Sequence, residues 1–212
     1  MSERTGGPFA ALSKPRLYEA LQRLVGSADS HPRFVREILR PRPGERMLDI
    51  GCGPGRIVEH LPEMTYLGFD LNPDYIEAAR RDFGDRPGFE FRCLDVRDAE
   101  LEPGSFDLVS VMGVVHHLDD EAAEALFALA ARALGGPGRL VSIEPAFRDG
   151  QNPVARWLIG RDRGASVRSP RGYADLAERS FAEVETKVRE DLLRIPYTHA
   201  VIEASGSPDG TG

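Results

Sequence analysis

Cysteine is nearly absent. Cys52 and Cys93 are the only two in 212 residues, too few for a disulfide framework or a cysteine-built zinc site, so a reducing, cytoplasmic setting is expected. No apolar run approaches the roughly 20 residues of a membrane span. The opening stretch MSERTGGPFAALSKPR lacks the hydrophobic segment of a secretory leader. Excess positive charge is missing too: the net charge is −7, which argues against wholesale nucleic-acid binding. Two familiar phosphate-binding patterns are also absent. There is no G-x-x-x-x-G-K-[ST], and Gly51, Gly53 and Gly55 are followed by Arg56, where a dinucleotide fingerprint would need glycine. Nicotinamide-dependent oxidoreduction is correspondingly weakened.

What is present is a globular composition, 41% hydrophobic, in which strand-like apolar runs alternate with helical patterns. MLDI (47–50), TYLGFD (65–70), FEFRCLD (89–95), FDLVSVMG (106–113) and GRLVSIEP (138–145) read as strands. Between them, Tyr75, Ile76, Ala79 and Phe83 recur at helical period. So do the apolar residues from Ala122 to Leu134, a helix closed by LGGPG. Amphipathic helices are expected at 17–25 and 31–39, further helices around PVARWLIG and RGYADLAERS, and two last strands in AEVETKVRE and PYTHAVIEA. Strand–helix–strand alternation predicts an α/β fold, a mostly parallel sheet with helices on both faces and an antiparallel C-terminal edge. Ligands of such sheets bind beyond the carboxyl ends of the strands.

Charge is uneven. Arg148, Arg156, Arg161, Arg163, Arg168 and Arg171 face only Asp149 and Asp162 in their stretch, and residues 1–46 are also basic, around an acidic middle. Solvated surface arginines account for this, or an anionic substrate does.

Three separated motifs, LDIGCGPG, GFDLNP and CLDV, fall at the ends of the first three strands. Together they resemble the class I S-adenosylmethionine-dependent methyltransferases, of the small bacterial, small-molecule type. The resemblance covers about 47–145 and implies a Rossmann-like seven-stranded fold with S-adenosylmethionine as cofactor. It implies that the loop of Gly51, Cys52, Gly53 and Gly55 lies against the methionine part, with Asp49 helping to hold its ammonium group. Asp70 would accept the ribose hydroxyls, Leu71 would pack on the adenine, and Asp95 and Val96 would meet its amino group and ring. Met112 and Gly113 would flank the cofactor from the fourth strand. Each aspartate has an ordinary alternative as a helix cap or turn residue.

VMGVVHHLDD brings His116 and His117 to the mouth of the expected site. Methyl transfer is an in-line displacement that depends mostly on positioning. A base is needed only for a protonated nucleophile, and histidine suits that task. The alternative is that one histidine caps the following helix and the other is buried by hydrogen bonding. The strand-four end lacks the N/D-P-P-Y/F pattern of amino methyltransferases, and no Pro-Cys nucleophile is present. Glu144-Pro145 stands where a catechol-type magnesium site has Asp-Asn, and adjacent side chains such as His116, His117, Asp119 and Asp120 rarely converge on one ion. No metal is expected. Tyr18, on an N-terminal helix over the cofactor, and Arg163, Arg168 and Arg171, in an insertion after strand five, are the candidate acceptor contacts; RIPYTH (194–199) is distinctive without a role.

The expectation is one methyltransferase domain over 1–205: a helical lid (1–45), a cofactor core (46–145), a substrate-side insertion (146–180), the last two strands (181–205), and a disordered tail (206–212). It would methylate an oxygen or nitrogen of a small-molecule acceptor, with an anionic metabolite and a natural-product intermediate as the candidates, with no nucleic-acid or membrane partner and an undetermined oligomeric state. A macromolecular acceptor, or a non-catalytic cofactor-binding subunit, are the rival readings.

Overall fold

The computed structural model describes residues 27–161 and 164–206. Seven strands form one sheet: β1 (Arg46–Ile50), β2 (Thr65–Asp70), β3 (Phe89–Cys93), β4 (Phe106–Met112), β5 (Leu134–Pro145), β6 (Glu183–Arg189) and β7 (His199–Ser205). Their spatial order is β3-β2-β1-β4-β5-β7-β6. The first five run parallel, and β7 is antiparallel to both of its neighbours, β5 and β6. The helices are α1 (Ser27–Phe34), continued by a wider π turn (Val35–Leu39), α2 (Pro73–Phe83), α3 (Asp120–Ala133), α4 (Pro153–Ile159) and α5 (Pro170–Ala177).

Each strand residue faces the side opposite to its neighbours, and both sides are covered. Leu48, Ile50, Val109, Val111 and Leu140 meet Leu126, Phe127, Tyr173 and Leu176 of α3 and α5 on one face. Met47, Leu108, Val141 and Ile143 meet Phe34, Ile38 and Ile76 of α1 and α2 on the other. This double burial is why the strands read as nearly continuous apolar runs. The helix starts are equally local in origin. Asn72, Asn152 and Ser169 each accept a backbone N–H of the first turn, and each is followed by a proline whose missing N–H costs nothing there. Asp119 caps α3 through Ala122 N–H.

Several boundaries differ from the sequence expectation: β3 stops at Cys93, short of Asp95, and β7 starts at His199 rather than Pro196. LGGPG ends α3 but also begins β5, because Leu134 pairs with Phe106 ahead of an irregularity in the ladder. Gly135 is required there: a Cβ would stand 2.8 Å from the carbonyl oxygen of Gly104. The helix expected at 31–39 starts at Ser27 and widens after Phe34. The helix at 17–25, Tyr18, Arg163 and the tail 207–212 lie outside the described residues.

Strand order reverses between β1 and β4, which opens a crevice beyond their carboxyl ends. Among the described residues no helix is long and apolar enough to cross a membrane, and no cluster of three or more His, Cys, Asp or Glu could hold a metal ion.

Candidate active site

The loop after β1 is folded back by two hydrogen bonds: the N–H groups of Gly51 and Cys52 both donate to the Phe69 carbonyl, at 2.7 and 2.8 Å. Its glycines answer to different constraints. Gly51 has φ 77°, and a Cβ there would fall 2.2 Å from Val114 Cγ2, so this glycine permits contact with the turn after β4. Gly53, at φ 54°, has open space where a Cβ would be, a cradle with exposed backbone. Gly55 (φ 73°) opens the short 3₁₀ turn Arg56–His60. Cys52 is buried, which pushes its thiol pKa up, and fits because Gly68 of β2 offers no side chain.

Asp70, at the end of β2, takes Gly53 N–H on Oδ2 (2.9 Å) and Asn72 N–H on Oδ1 (2.8 Å). A carboxylate presents two acceptor oxygens, the number that a pair of vicinal hydroxyls uses. Leu71 beside it is exposed at 39%, an apolar platform for a flat ring. Met112 ends β4, and Gly113 just after it donates to the Ile143 carbonyl at 2.9 Å. Glycine cradle, carboxylate and platform fit a ribose-bearing cofactor.

Three cofactor assignments take a different form. Asp49 is 2% exposed, and its Oδ2 accepts the Tyr66 hydroxyl at 2.7 Å. Burial pushes its pKa up to about 6 against the lowering effect of that hydrogen bond. The carboxylate is enclosed beneath the loop. Asp95 is gripped by Arg97, whose backbone N–H and guanidinium both bond it, and that pairing holds its pKa low. Val96 begins a 3₁₀ turn, Val96–Asp98, through which its main chain follows Asp95.

The histidines lie on the 3₁₀ turn Val115–His117. His116 is 5% exposed, and its Nδ1 meets Glu144 Oε2 at 2.6 Å. That is the buried, hydrogen-bonded alternative, so the ring does not line an open mouth. His117 is half-buried against it, ring centroids 4.0 Å apart. The backbone of the arginine-rich segment meets this turn: Ser166 N–H donates to the His116 carbonyl at 3.0 Å, and a Cβ on Gly164 would strike the His116 ring at 2.1 Å. Arg168 and Arg171, however, are engaged within the protein. Arg168 bonds the carbonyls of Val115, Ser166 and Leu118 and the Asp120 carboxylate. Arg171 pairs with Asp175 and Glu178 at the surface. Neither guanidinium is presented to an acceptor.

Sequence reasoning missed Glu144, Tyr66 and Gly164 as parts of this site. The signal for Glu144, a lone acid closing an apolar strand, was the same one that marked Asp70. A cavity of about 350 Å³ lies between the start of α4 and the β6–β7 connection, lined by Asn152, Arg194, Tyr197 and Thr198 among others. Pro145, the last residue of β5, pairs with His199, so this cavity opens at the same end of the sheet as the crevice and gives RIPYTH a location. A hollow of about 600 Å³ at the starts of β1 to β4, lined by Arg46, Tyr66 and Phe89 among others, lies at the opposite end.

A mostly parallel sheet with a glycine turn and an acid-ended second strand at its switch point defines a Rossmann-like cofactor-binding enzyme. Comparison with known proteins narrows the class. The methyltransferase-domain family model matches residues 47–138. Trans-aconitate 2-methyltransferase of Methylobacterium nodulans is 30% identical over 204 residues, 87% of this chain and 76% of that protein. Aklanonic acid methyltransferase DauC of a Streptomyces species is 38% identical over 57% of each chain. A TehB-like S-adenosylmethionine-dependent methyltransferase from Corynebacterium glutamicum superposes with a TM-score of 0.62 at 24% identity, covering 93% of this chain and all of that one. Other curated relatives are matched over about a third of their own length. The chain belongs to the class I S-adenosylmethionine-dependent methyltransferases, and S-adenosylmethionine is its cofactor.

Proposed function

We propose that this protein methylates an oxygen or nitrogen of a small, anionic acceptor, in the reducing cytoplasm where the thiols of Cys52 and Cys93 stay unpaired. The observation that carries the cofactor half is Asp70, whose carboxylate closes β2 and is fixed by two backbone N–H groups beside the open cradle of Gly53. Asp70 holds the ribose, Leu71 supports the adenine, and the main chain of Gly51–Gly55 and Gly113 encloses the remainder. When bound, the cofactor supplies an electrophilic methyl group on a positively charged sulfur.

The acceptor half draws on two features. A relative matched across most of this chain is named for methylating trans-aconitate, a carboxylic acid. In addition, His116 is enclosed and bonded to Glu144, a poor arrangement for collecting a proton from an incoming substrate. A carboxylate oxygen is already ionised at neutral pH and needs no base, so alignment of acceptor, methyl carbon and sulfur supplies most of the rate. The cavity bordered by Arg194 and Tyr197 is the candidate seat for the body of the acceptor.

The test is release of S-adenosylhomocysteine by the full chain against a panel of di- and tricarboxylates, phenolic acids and amines, with a transfer-RNA and protein extract as the last arm. Turnover confined to acidic small molecules is expected. Turnover only on the extract overturns the acceptor reading.

A further inference from the structure

We propose that Glu144 and Arg168 are the positioning residues of methyl transfer, a charged clamp that fixes the turn after β4 against the cofactor loop. This rests on the functional reading above and adds two residues to it.

Four donors converge on the Glu144 carboxylate, whose side chain is wholly buried. Oε1 accepts the N–H groups of Val114 and Val115, both at 3.0 Å. Oε2 accepts His116 N–H at 3.2 Å and meets His116 Nδ1 at 2.6 Å. A carboxylate has about four acceptor sites, and this turn takes all of them. With three backbone N–H groups donating to it, the carboxylate serves as acceptor, which assigns the fourth proton to His116 Nδ1.

Arg168 does the reverse. It bonds the Val115 carbonyl at 3.1 Å and the Leu118 carbonyl at 2.9 Å, and anchors itself on Ser166 O and Asp120. Its own carbonyl receives Phe147 N–H, just past β5. Three N–H groups of the turn therefore go to a buried carboxylate, and the carbonyls of Val115 and Leu118 to a guanidinium, from segments on either side of residue 145.

Burying charged side chains is a weak way to gain stability, because apolar residues of similar volume often do as well or better. What the charges provide here is a defined geometry. The clamped turn carries Val114, whose Cγ2 fills the space over Gly51 in the cofactor loop, and Gly113, which begins the crevice wall. A turn that drifts releases its grip on the loop that holds the methionine part of the cofactor.

The experiment is calorimetric titration of the full chain with S-adenosylhomocysteine, well below each variant's melting temperature, for wild type, Glu144→Gln, Arg168→Gln and Arg92→Gln. Arg92 pairs with Glu90 at the exposed surface of β3 and serves as control. Glu144→Gln keeps the volume but aims an NH₂ at backbone donors. Leaving such donors unmatched loosens the turn, and affinity is expected to fall about tenfold or more. Arg168→Gln is expected to weaken binding about threefold to tenfold, and Arg92→Gln to leave it unchanged. Nitrogen NMR of the histidines provides a readout that a purely structural role would not move: the Nδ1–H signature of His116 disappears in Glu144→Gln and persists in Arg168→Gln. If Glu144→Gln does not fold, Arg168→Gln decides alone. Folded variants that bind with wild-type affinity overturn the clamp while leaving the functional reading intact. Failure of the wild type to bind overturns that reading, and the clamp with it.

Discussion

On the β1–β2 side of the crevice, the defining side-chain contacts join residues close in sequence: Gly53 to Asp70 and Tyr66 to Asp49, each seventeen positions apart. On the β4–β5 side, Glu144 reaches back 28 to 30 positions and Arg168 reaches 48 to 53. The first wall is a local motif that carries its own hydrogen bonds. The second is assembled only when β5 and the segment after it have folded onto the turn.

That difference orders the expected effects of substitution. The largest belongs to Asp70→Ala. On the proposed binding mode it removes two charge-assisted hydrogen bonds to the ribose, each worth about 1.5–3 kcal/mol, and it frees Gly53 N–H. Affinity for S-adenosylhomocysteine should fall at least about a hundredfold by calorimetry. A loss under tenfold would mean that the local wall does not bind the ribose.

Next come the two glycines, which should separate fold from binding. Gly51→Ala meets Val114 at a left-handed backbone position. Strain of about 1–2 kcal/mol plus overpacking of about 1–3 kcal/mol should lower Tm by roughly 5–15 °C. Gly53→Ala meets nothing within 4 Å, so Tm should fall by only a few degrees, roughly, while cofactor affinity drops about tenfold. Equal losses of Tm in both would erase the distinction between a packing glycine and a binding glycine.

Asp49 supplies a pH test of the same wall. Its pKa is about 6 in the fold against an ordinary value of 3.8. Between those values the folded state holds a proton that the unfolded chain has released, so this group's contribution to stability is lost as pH rises through 6. From pH 5 to pH 8 the loss is roughly 1–1.5 kcal/mol. Asn cannot ionise, so Asp49→Asn should gain a few degrees of Tm relative to wild type, roughly, over that range. Parallel Tm-versus-pH curves would show that Asp49 is not enclosed as described.

The smallest effect is expected at Arg171, whose partners are exposed. Arg171→Gln should shift Tm by less than about 3 °C, since surface pairs contribute about 0–1 kcal/mol.

The same contrast explains what could be read from the sequence. TYLGFD matches β2 to the residue, because an apolar run bounded by turn residues states its own limits. Asp70 was legible because its partners lie in the neighbouring motif. Glu144 and Arg168 were not, because nothing near either residue signals a partner dozens of positions away. Arg168 in particular looked like a ligand contact, since a guanidinium saturated by main-chain carbonyls reads the same in sequence as one awaiting a carboxylate. Asp49 misled for the opposite reason: its place in the motif is the expected one, but Tyr66 encloses it.

The most direct test of the account is a crystal structure of the full chain with S-adenosylhomocysteine. The account predicts both ribose hydroxyls on the Asp70 carboxylate, the adenine against Leu71, and the homocysteine chain over Gly53. A ribose bound away from Asp70, or a ligand seated at the opposite end of the sheet beside Arg46 and Phe89, would contradict it.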